Sequence, residues 1–310
     1  MNKLRKLTKG NKIGVFSSSS PTNKEAMERL TKYFNEKGFD VVLAPNVFSE
    51  FGYLAGLPEQ RASDFNSLLK DPSISLLMTA TGGKGAIQLL KIIDYDIFKS
   101  SPRILCGLSD PTTLINAISK MCQIPTFHGP NGYNFGHTNP TKFTESVWWQ
   151  IVSGSFTLPY KYPLPSFNIL KAVTKDKYIE GKIFGGNLGV LMNLIGTPYE
   201  PNWNGAILFF EERIVDISKT DIMINQLRLS GIFDKISALI IGKSVEILPN
   251  KQESFEEMIL RNTEEFEFPI ISDVLLGHTE DKITIPISCN VRIDLTNKAL
   301  LLLESPFLDQ

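Results

Sequence analysis

The chain has 310 residues, 42% of them hydrophobic and 21% charged, with a formal net charge of -1. That length supports two domains with separate cores, and the near-neutral charge offers no electrostatic case for a nucleic acid polymer or an anionic membrane as partner. No apolar run approaches the roughly 20 residues that cross a bilayer.

The opening Met1-Asn-Lys-Leu-Arg-Lys is basic, but it leads into Gly10-Asn-Lys and a strand rather than the apolar core of a secretion signal. A cytoplasmic location is therefore expected. Apolar runs at Lys12 to Ser17, Val41 to Ala44, Ile74 to Ala80 and Ile104 to Gly107 read as strands, with amphipathic helices between them. The first helix is signposted by the capping box Thr22-Asn-Lys-Glu25, the apolar stripe Ala26, Leu30, Tyr33 and Phe34, and a stop at Gly38. Strand and helix in alternation predict an α/β fold whose first domain, residues 1–155, is a Rossmann-like or flavodoxin-like parallel sheet covered on both faces. Ligands of such sheets bind beyond the carboxyl ends of the strands. Three segments, Ser17-Ser-Ser-Ser-Pro21, Thr81-Gly-Gly-Lys-Gly85 and Gly107-Leu-Ser-Asp110, should therefore share one rim.

Periodicity weakens over residues 156–177, where Pro159, Pro163 and Pro165 gather, and this reads as a connector. Residues 178–310 then form a β-rich α/β domain. It contains Gly181-Lys-Ile-Phe-Gly-Gly-Asn-Leu188, strands at Ala206 to Phe210 and Ile236 to Ile241, and a helix near Lys219 to Leu229. Its closing β-rich runs are Ile283 to Ser288, Val291 to Leu295 and Ala299 to Leu303. Cys106, Cys122 and Cys289 are scattered in apolar surroundings and read as buried thiols of a reducing compartment.

The strongest local signal for chemistry is the strand-to-helix turn Gly107-Leu-Ser109-Asp110-Pro111. A serine there is pushed out at the end of a sheet beside the unpaired N–H groups of a helix, where a nucleophile belongs. The competing reading is that Ser109 only caps the helix. A phosphate loop is excluded because Lys84 is followed by Gly85, and no G-x-G-x-x-G follows the first strand. H-E-x-x-H, C-x-x-C and close histidine pairs are missing, so neither a metal nor another cofactor is expected. The G-x-S-x-G elbow is absent too.

A nucleophilic serine needs a base, and the base needs an acceptor. The three histidines are the candidates. His128 sits at a strand end with a structural or rim role, His137 lies in a polar loop, and His278 follows the apolar run Ile270 to Leu276 on a loop with Gly277 before it. Glu211 and Glu212 stand at the mouth of Ile207-Leu-Phe-Phe210, either as the orienting carboxylate or as a solvated strand edge.

In order along the chain, Ile13-Gly-Val-Phe-Ser-Ser-Ser-Ser-Pro21, Gln60-Arg-Ala-Ser-Asp-Phe-Asn66, Gly82-Gly83, Ile93-Asp-Tyr-Asp96, Gly107-Leu-Ser-Asp110, Phe127-His-Gly-Pro130, Gly185-Gly-Asn-Leu188, Leu208-Phe-Phe-Glu211 and Gly277-His278 ahead of Ile285-Pro286 carry a family likeness. Over almost its whole length the chain resembles the serine peptidases that include LD-carboxypeptidases and microcin C self-immunity proteins. The resemblance implies a Ser109, Glu211, His278 triad at the domain interface, with Glu212 a minor alternative to Glu211. The oxyanion would be held by the backbone N–H groups of Asp110 and Gly83, although Asp110 serves equally well as a helix-terminal carboxylate. It also implies a homodimer.

For the substrate, the resemblance implies murein-type peptides cut at an L,D bond, with peptidyl- or aminoacyl-nucleotide conjugates as the alternative. A noncatalytic α/β protein that binds small molecules is the remaining one. The short connector lacks the tryptophan-bearing insertion of the immunity branch, and Trp148 and Trp149 are expected to pack a helix. Lys84 or the N–H groups near Ser17 to Ser20 are expected to take a substrate carboxylate.

Overall fold

The structure, a computed structural model, describes residues 3–137, 139–172, 177–214, 217–243, 245–246 and 253–308. Five parallel strands, β1 (Lys12–Phe16), β2 (Asp40–Leu43), β3 (Ile74–Thr79), β4 (Ile104–Gly107) and β5 (Thr126–His128), form the first sheet in the order β5-β4-β3-β1-β2. Strand β4 buries every residue, as a parallel strand covered on both faces should. Around this sheet lie α1 (Lys24–Glu36), α2 (Pro58–Lys70), α3 (Tyr95–Ser100), α4 (Thr112–Cys122), α5 (Gly132–Gly136) and α6 (Lys142–Ser153). The strand order is the flavodoxin-like one, and its carboxyl edge carries the Ser17, Thr81 and Gly107 segments.

The start of α1 lies one residue later than its pattern predicts. Asn23, not Thr22, is the cap, and its side chain accepts from Ala26 N at 2.8 Å. Trp148 and Trp149 on α6 pack as expected among Phe34, Phe39 and Phe135, with Trp148 fully buried.

The second half supplies β6 (Tyr160–Lys161), β7 (Asn168–Lys171), β8 (Tyr178–Asn187), α7 (Leu188–Leu191), β9 (Ile207–Glu211), β10 (Arg213–Ile214), α8 (Ile217–Leu229), β11 (Ala238–Gly242), β12 (Val245–Glu246), α9 (Phe255–Asn262), β13 (Ile270–Val274), β14 (Ile285–Ile287), β15 (Asn290–Asp294) and β16 (Ala299–Leu302). Eight of these strands make one mixed sheet in the order β6-β16-β15-β8-β9-β11-β13-β7.

Two features differ from the sequence reading. The proline-rich segment is more than a connector, because β6 and β7 form the two edges of this sheet while Tyr162 and Phe167 enter the core. Its prolines, Pro159, Pro163 and Pro165, flank the two strands rather than interrupt them, so no ladder N–H is lost. The run Ile283 to Ser288 also leaves the second half, and β14 pairs antiparallel with β5 at the edge of the first sheet. That crossing begins seven residues beyond His278, so it draws the His278 loop toward the first sheet.

Candidate active site

Strand β4 ends at Gly107 and α4 begins at Thr112, which leaves Ser109 on the turn between them with φ 73°. A β-carbon strains this left-handed conformation, and such strain in a non-glycine residue is characteristic of functional turns. The Thr112 N–H bonds to the Ser109 carbonyl at 2.8 Å, and no side chain caps α4. Ser109 Oγ is thus not spent on the helix end. Gly82 of the neighbouring loop packs on it so closely that a methyl group there would lie 2.8 Å from Ser109 Cβ.

The side chain of Asp110 is engaged within the protein. Its buried carboxylate accepts from Ala86 N at 2.7 Å. Burial raises its pKa, opposed by the bonds from Ala86 and Ser19 and by the charge of Arg61. Arg61, fully buried, donates to the Ser18 carbonyl at 2.6 Å and the Gly85 carbonyl at 3.0 Å. Asp110 and Arg61 therefore tie the serine-rich loop and the glycine loop to the Ser109 turn. Gly83, at φ 116°, passes so near Ser20 that a β-carbon would fall 2.0 Å from its Oγ. Among the described residues, the N–H groups of Gly83 and Asp110 have no protein acceptor.

Glu211 is the last residue of β9, and His278 lies on the turn after β13, with β11 between the two strands. The carboxylate spans that gap because the middle strand ends in Gly242, where a β-carbon would come within 2.9 Å of Glu211 Cβ. Gly277, at φ 77°, allows the last approach, since a methyl group there would meet Glu211 Cγ at 2.1 Å. Glu211 Oε2 lies 2.7 Å from His278 Nδ1 and accepts the His278 backbone N–H at 3.2 Å. Burial pushes this carboxyl up, but the hydrogen bond and charge of His278, the charge of His128 and the Asn187 amide outweigh it and hold it below the usual range. Glu212 does not reach the histidine. It accepts from Gly189 N at 2.8 Å and Arg213 N at 2.9 Å.

Ser109 and His278 line one cavity of about 570 Å3, together with Ser20, Thr81, Gly82 and Gly83 from the other two loops of the rim. No hydrogen bond closes between Ser109 and His278 among the described residues; catalytic contacts of this kind often tighten only around substrate. Lys84 is exposed and does not line the cavity, contrary to its expected role. Lys282 and Arg213 do, and sequence reading missed both. The usable signal was proximity, since Lys282 follows His278 by four residues and Arg213 follows Glu211 by two. The other histidines fall outside the site. His137 stacks on Tyr133 at 4.5 Å, whereas His128 is fully buried against Phe209 and burial drives its pKa down to about 4. No group of three metal-ligating side chains occurs among the described residues.

The family model for the LD-carboxypeptidase N-terminal domain matches residues 13–129, and that for the C-terminal domain matches residues 180–293. The chain belongs to the LD-carboxypeptidase family. It is 30% identical to the microcin C7 self-immunity protein MccF of Escherichia coli, across 96% of this chain and 94% of that one. It is 27% identical to a probable murein peptide carboxypeptidase of Bacillus subtilis, across 97% and 94%. The structure of MccF in complex with aspartyl sulfamoyl adenosine superposes with a TM-score of 0.91 at 27% identity, covering 99% of this chain and 100% of that one. The two-domain α/β fold of this LD-carboxypeptidase relative is thus the family's, with the cavity where the two sheets meet.

Proposed function

We propose that this LD-carboxypeptidase relative is a serine carboxypeptidase that releases the terminal residue from murein-type peptides at an L,D bond. The observation that carries the reading is the cavity shared by strained Ser109 and by His278, whose Nδ1 is held at 2.7 Å by buried Glu211. Ser109 attacks the scissile carbonyl, and His278 takes its proton through Nε2 and returns it to the leaving amine. Glu211 fixes the imidazole tautomer and stabilises its charged form. The N–H groups of Gly83 and Asp110 face the oxyanion, a placement supported by their lack of protein acceptors.

The test is chromatographic detection of D-alanine released from an L,D-tetrapeptide. The parent protein should turn over, and Ser109→Ala should lose about 10^4-fold or more in kcat while staying folded by circular dichroism. Turnover by Ser109→Ala within tenfold of the parent would remove this serine from the reaction. No turnover of any amide by the parent would restore the noncatalytic reading.

A second reading, hydrolysis of aminoacyl-nucleotide conjugates, is favoured by one feature. Tyr133, 44% exposed, lines the cavity and offers a flat face to a base. Against it, Trp148 and Trp203 are buried and Trp149 packs on Phe39. We place the peptide first, with kcat/KM at least about tenfold above that of the conjugate, equivalent to about 1.4 kcal/mol. The protein acts as a cytoplasmic homodimer in this proposal. Among the described residues no helix is long and apolar enough to cross a membrane.

A further inference from the structure

The charges on the walls of the catalytic cavity are one-sided. Arg213 and Lys282 line it together with His278, and neither aspartate nor glutamate does. The two cations are held differently. Arg213 is exposed and hydrated, whereas Lys282 is only 6% exposed. An ammonium group has three protons to donate. Among the described residues that of Lys282 meets one acceptor, the Glu280 carbonyl at 3.0 Å, and it forms no ion pair within 4.0 Å.

Two of the three carboxylates that act on it are already engaged, and the third, Glu280, is exposed. Asp281 accepts from Thr141 Oγ1 at 2.5 Å, and Glu211 is taken by His278. Burial lowers the pKa of Lys282, with Asp281, Glu211 and Glu280 acting in the opposite direction. A buried charge without a full set of partners is costly to a fold. Such a cost is tolerated where a ligand completes the set.

We propose that Lys282 is a specificity-determining residue that binds the free terminal carboxylate of the substrate's leaving residue. This rests on the carboxypeptidase reading above and names the group that directs it. The ammonium stands on the loop that carries His278, four residues along, so it is fixed to the same rigid body as the base. Two vacant donors match the two oxygens of a carboxylate, and they sit in a partly dehydrated wall where a charge-assisted bond is strong. Arg213, out at the exposed rim, attracts the anion over a longer range without selecting it.

The test separates binding from turnover. An L,D-tetrapeptide with a free terminal carboxylate and the same peptide as its terminal amide are titrated calorimetrically into Ser109→Ala protein, alone and combined with Lys282→Gln. Both are also assayed with active protein. The acid should bind at least thirtyfold tighter than the amide, and Lys282→Gln should cut that ratio below fivefold by weakening the acid alone. Lys282→Arg should recover part of the preference, and Arg213→Gln should leave most of it.

In the active protein the change should appear in KM for the acid, and kcat/KM should fall at least tenfold more for the acid than for the amide. Equal binding of acid and amide, or a full preference surviving in Lys282→Gln, would overturn the assignment. So would equal losses on both substrates, which mark a structural role. Preference in binding without turnover would leave Lys282 as proposed and defeat the carboxypeptidase reading instead. Turnover without preference would do the reverse.

Discussion

The Ser109 turn and the histidine–glutamate pair reach the same cavity by opposite physical routes. Ser109 is placed locally, within four residues of the end of β4, and a left-handed φ of 73° aims it. Buried polar groups, Arg61 and Asp110, hold the neighbouring loops against that strained turn. Glu211 and His278 are 67 residues apart and come together only because β9, β11 and β13 lie side by side. Their approach uses omitted side chains, at Gly242 and Gly277, rather than strain. One half of the site is pushed into place and the other is given room, so substitutions should damage them in different ways.

Short of removing the Ser109 hydroxyl, the largest effect should follow from uncoupling the second half while leaving the first intact. Glu211→Gln keeps the size of the side chain but removes the charge that pairs with an imidazolium and favours the wrong tautomer. It should cost about 10^3- to 10^4-fold in kcat. Steady-state kinetics on the L,D-tetrapeptide check this, and a loss under tenfold would show that the pair is structural. Gly277→Ala comes next. Its methyl group would meet Glu211 Cγ at 2.1 Å in a backbone at φ 77°. The displaced carboxylate should lower kcat about 100-fold, and urea unfolding should register a loss of about 2 kcal/mol or more. An unaffected Gly277→Ala would mean that the loop has slack the close packing does not suggest.

The same contrast explains what was legible in the sequence. Strands β1, β3 and β4 and the Ser109 turn announce themselves through contiguous apolar runs ended by glycine and polar residues, because burial on both faces needs no partner to be read. Glu211 and His278 are visible as polar residues at strand ends, but their pairing depends on sheet order, which no local pattern encodes. The edge strands β6 and β7 were masked by the prolines that flank them, which read as breakers. The pairing of β14 with β5 is a long-range contact between halves of the chain, and three apolar residues carry no trace of which sheet they join. Lys282 escaped for a related reason. A lysine in a polar loop reads as solvated, and only the packing around it makes it a buried wall.

Between the two halves lies His128, and it makes their seam sensitive to acid. The ring is fully buried, both its nitrogens lack partners among the described residues, and burial holds its pKa down to about 4. An unfolded histidine titrates near 6.5, so between these values the unfolded chain binds a proton that the folded chain refuses. Stability contributed by this group is complete above about pH 6.5 and lost as the pH falls toward 4, in total about 3 kcal/mol. The depressed carboxyl of Glu211 works in the same direction at lower pH. Urea titrations from pH 7 to 4 should show this slope in the parent and a flatter one in His128→Leu. Parallel curves would place a proton acceptor beside His128.

The smallest effect sharpens the comparison most, because it reverses the Gly277 substitution at the other half of the site. If strain aims Ser109, then Ser109→Gly should release it, whereas Ser109→Ala keeps a β-carbon in the left-handed region and releases nothing. Both variants lack the hydroxyl, so neither turns over, and the comparison concerns the backbone alone. Left-handed placement of a non-glycine residue costs about 1 to 2 kcal/mol, and glycine returns about 0.5 to 1 kcal/mol of that through the greater freedom of its unfolded chain. Ser109→Gly should therefore unfold at a higher urea midpoint than Ser109→Ala, by roughly 0.5 to 1 kcal/mol. Equal midpoints would mean that the turn relaxes around alanine, and that Arg61 and Asp110 alone, rather than strain braced by them, hold residue 109 out at the end of the sheet.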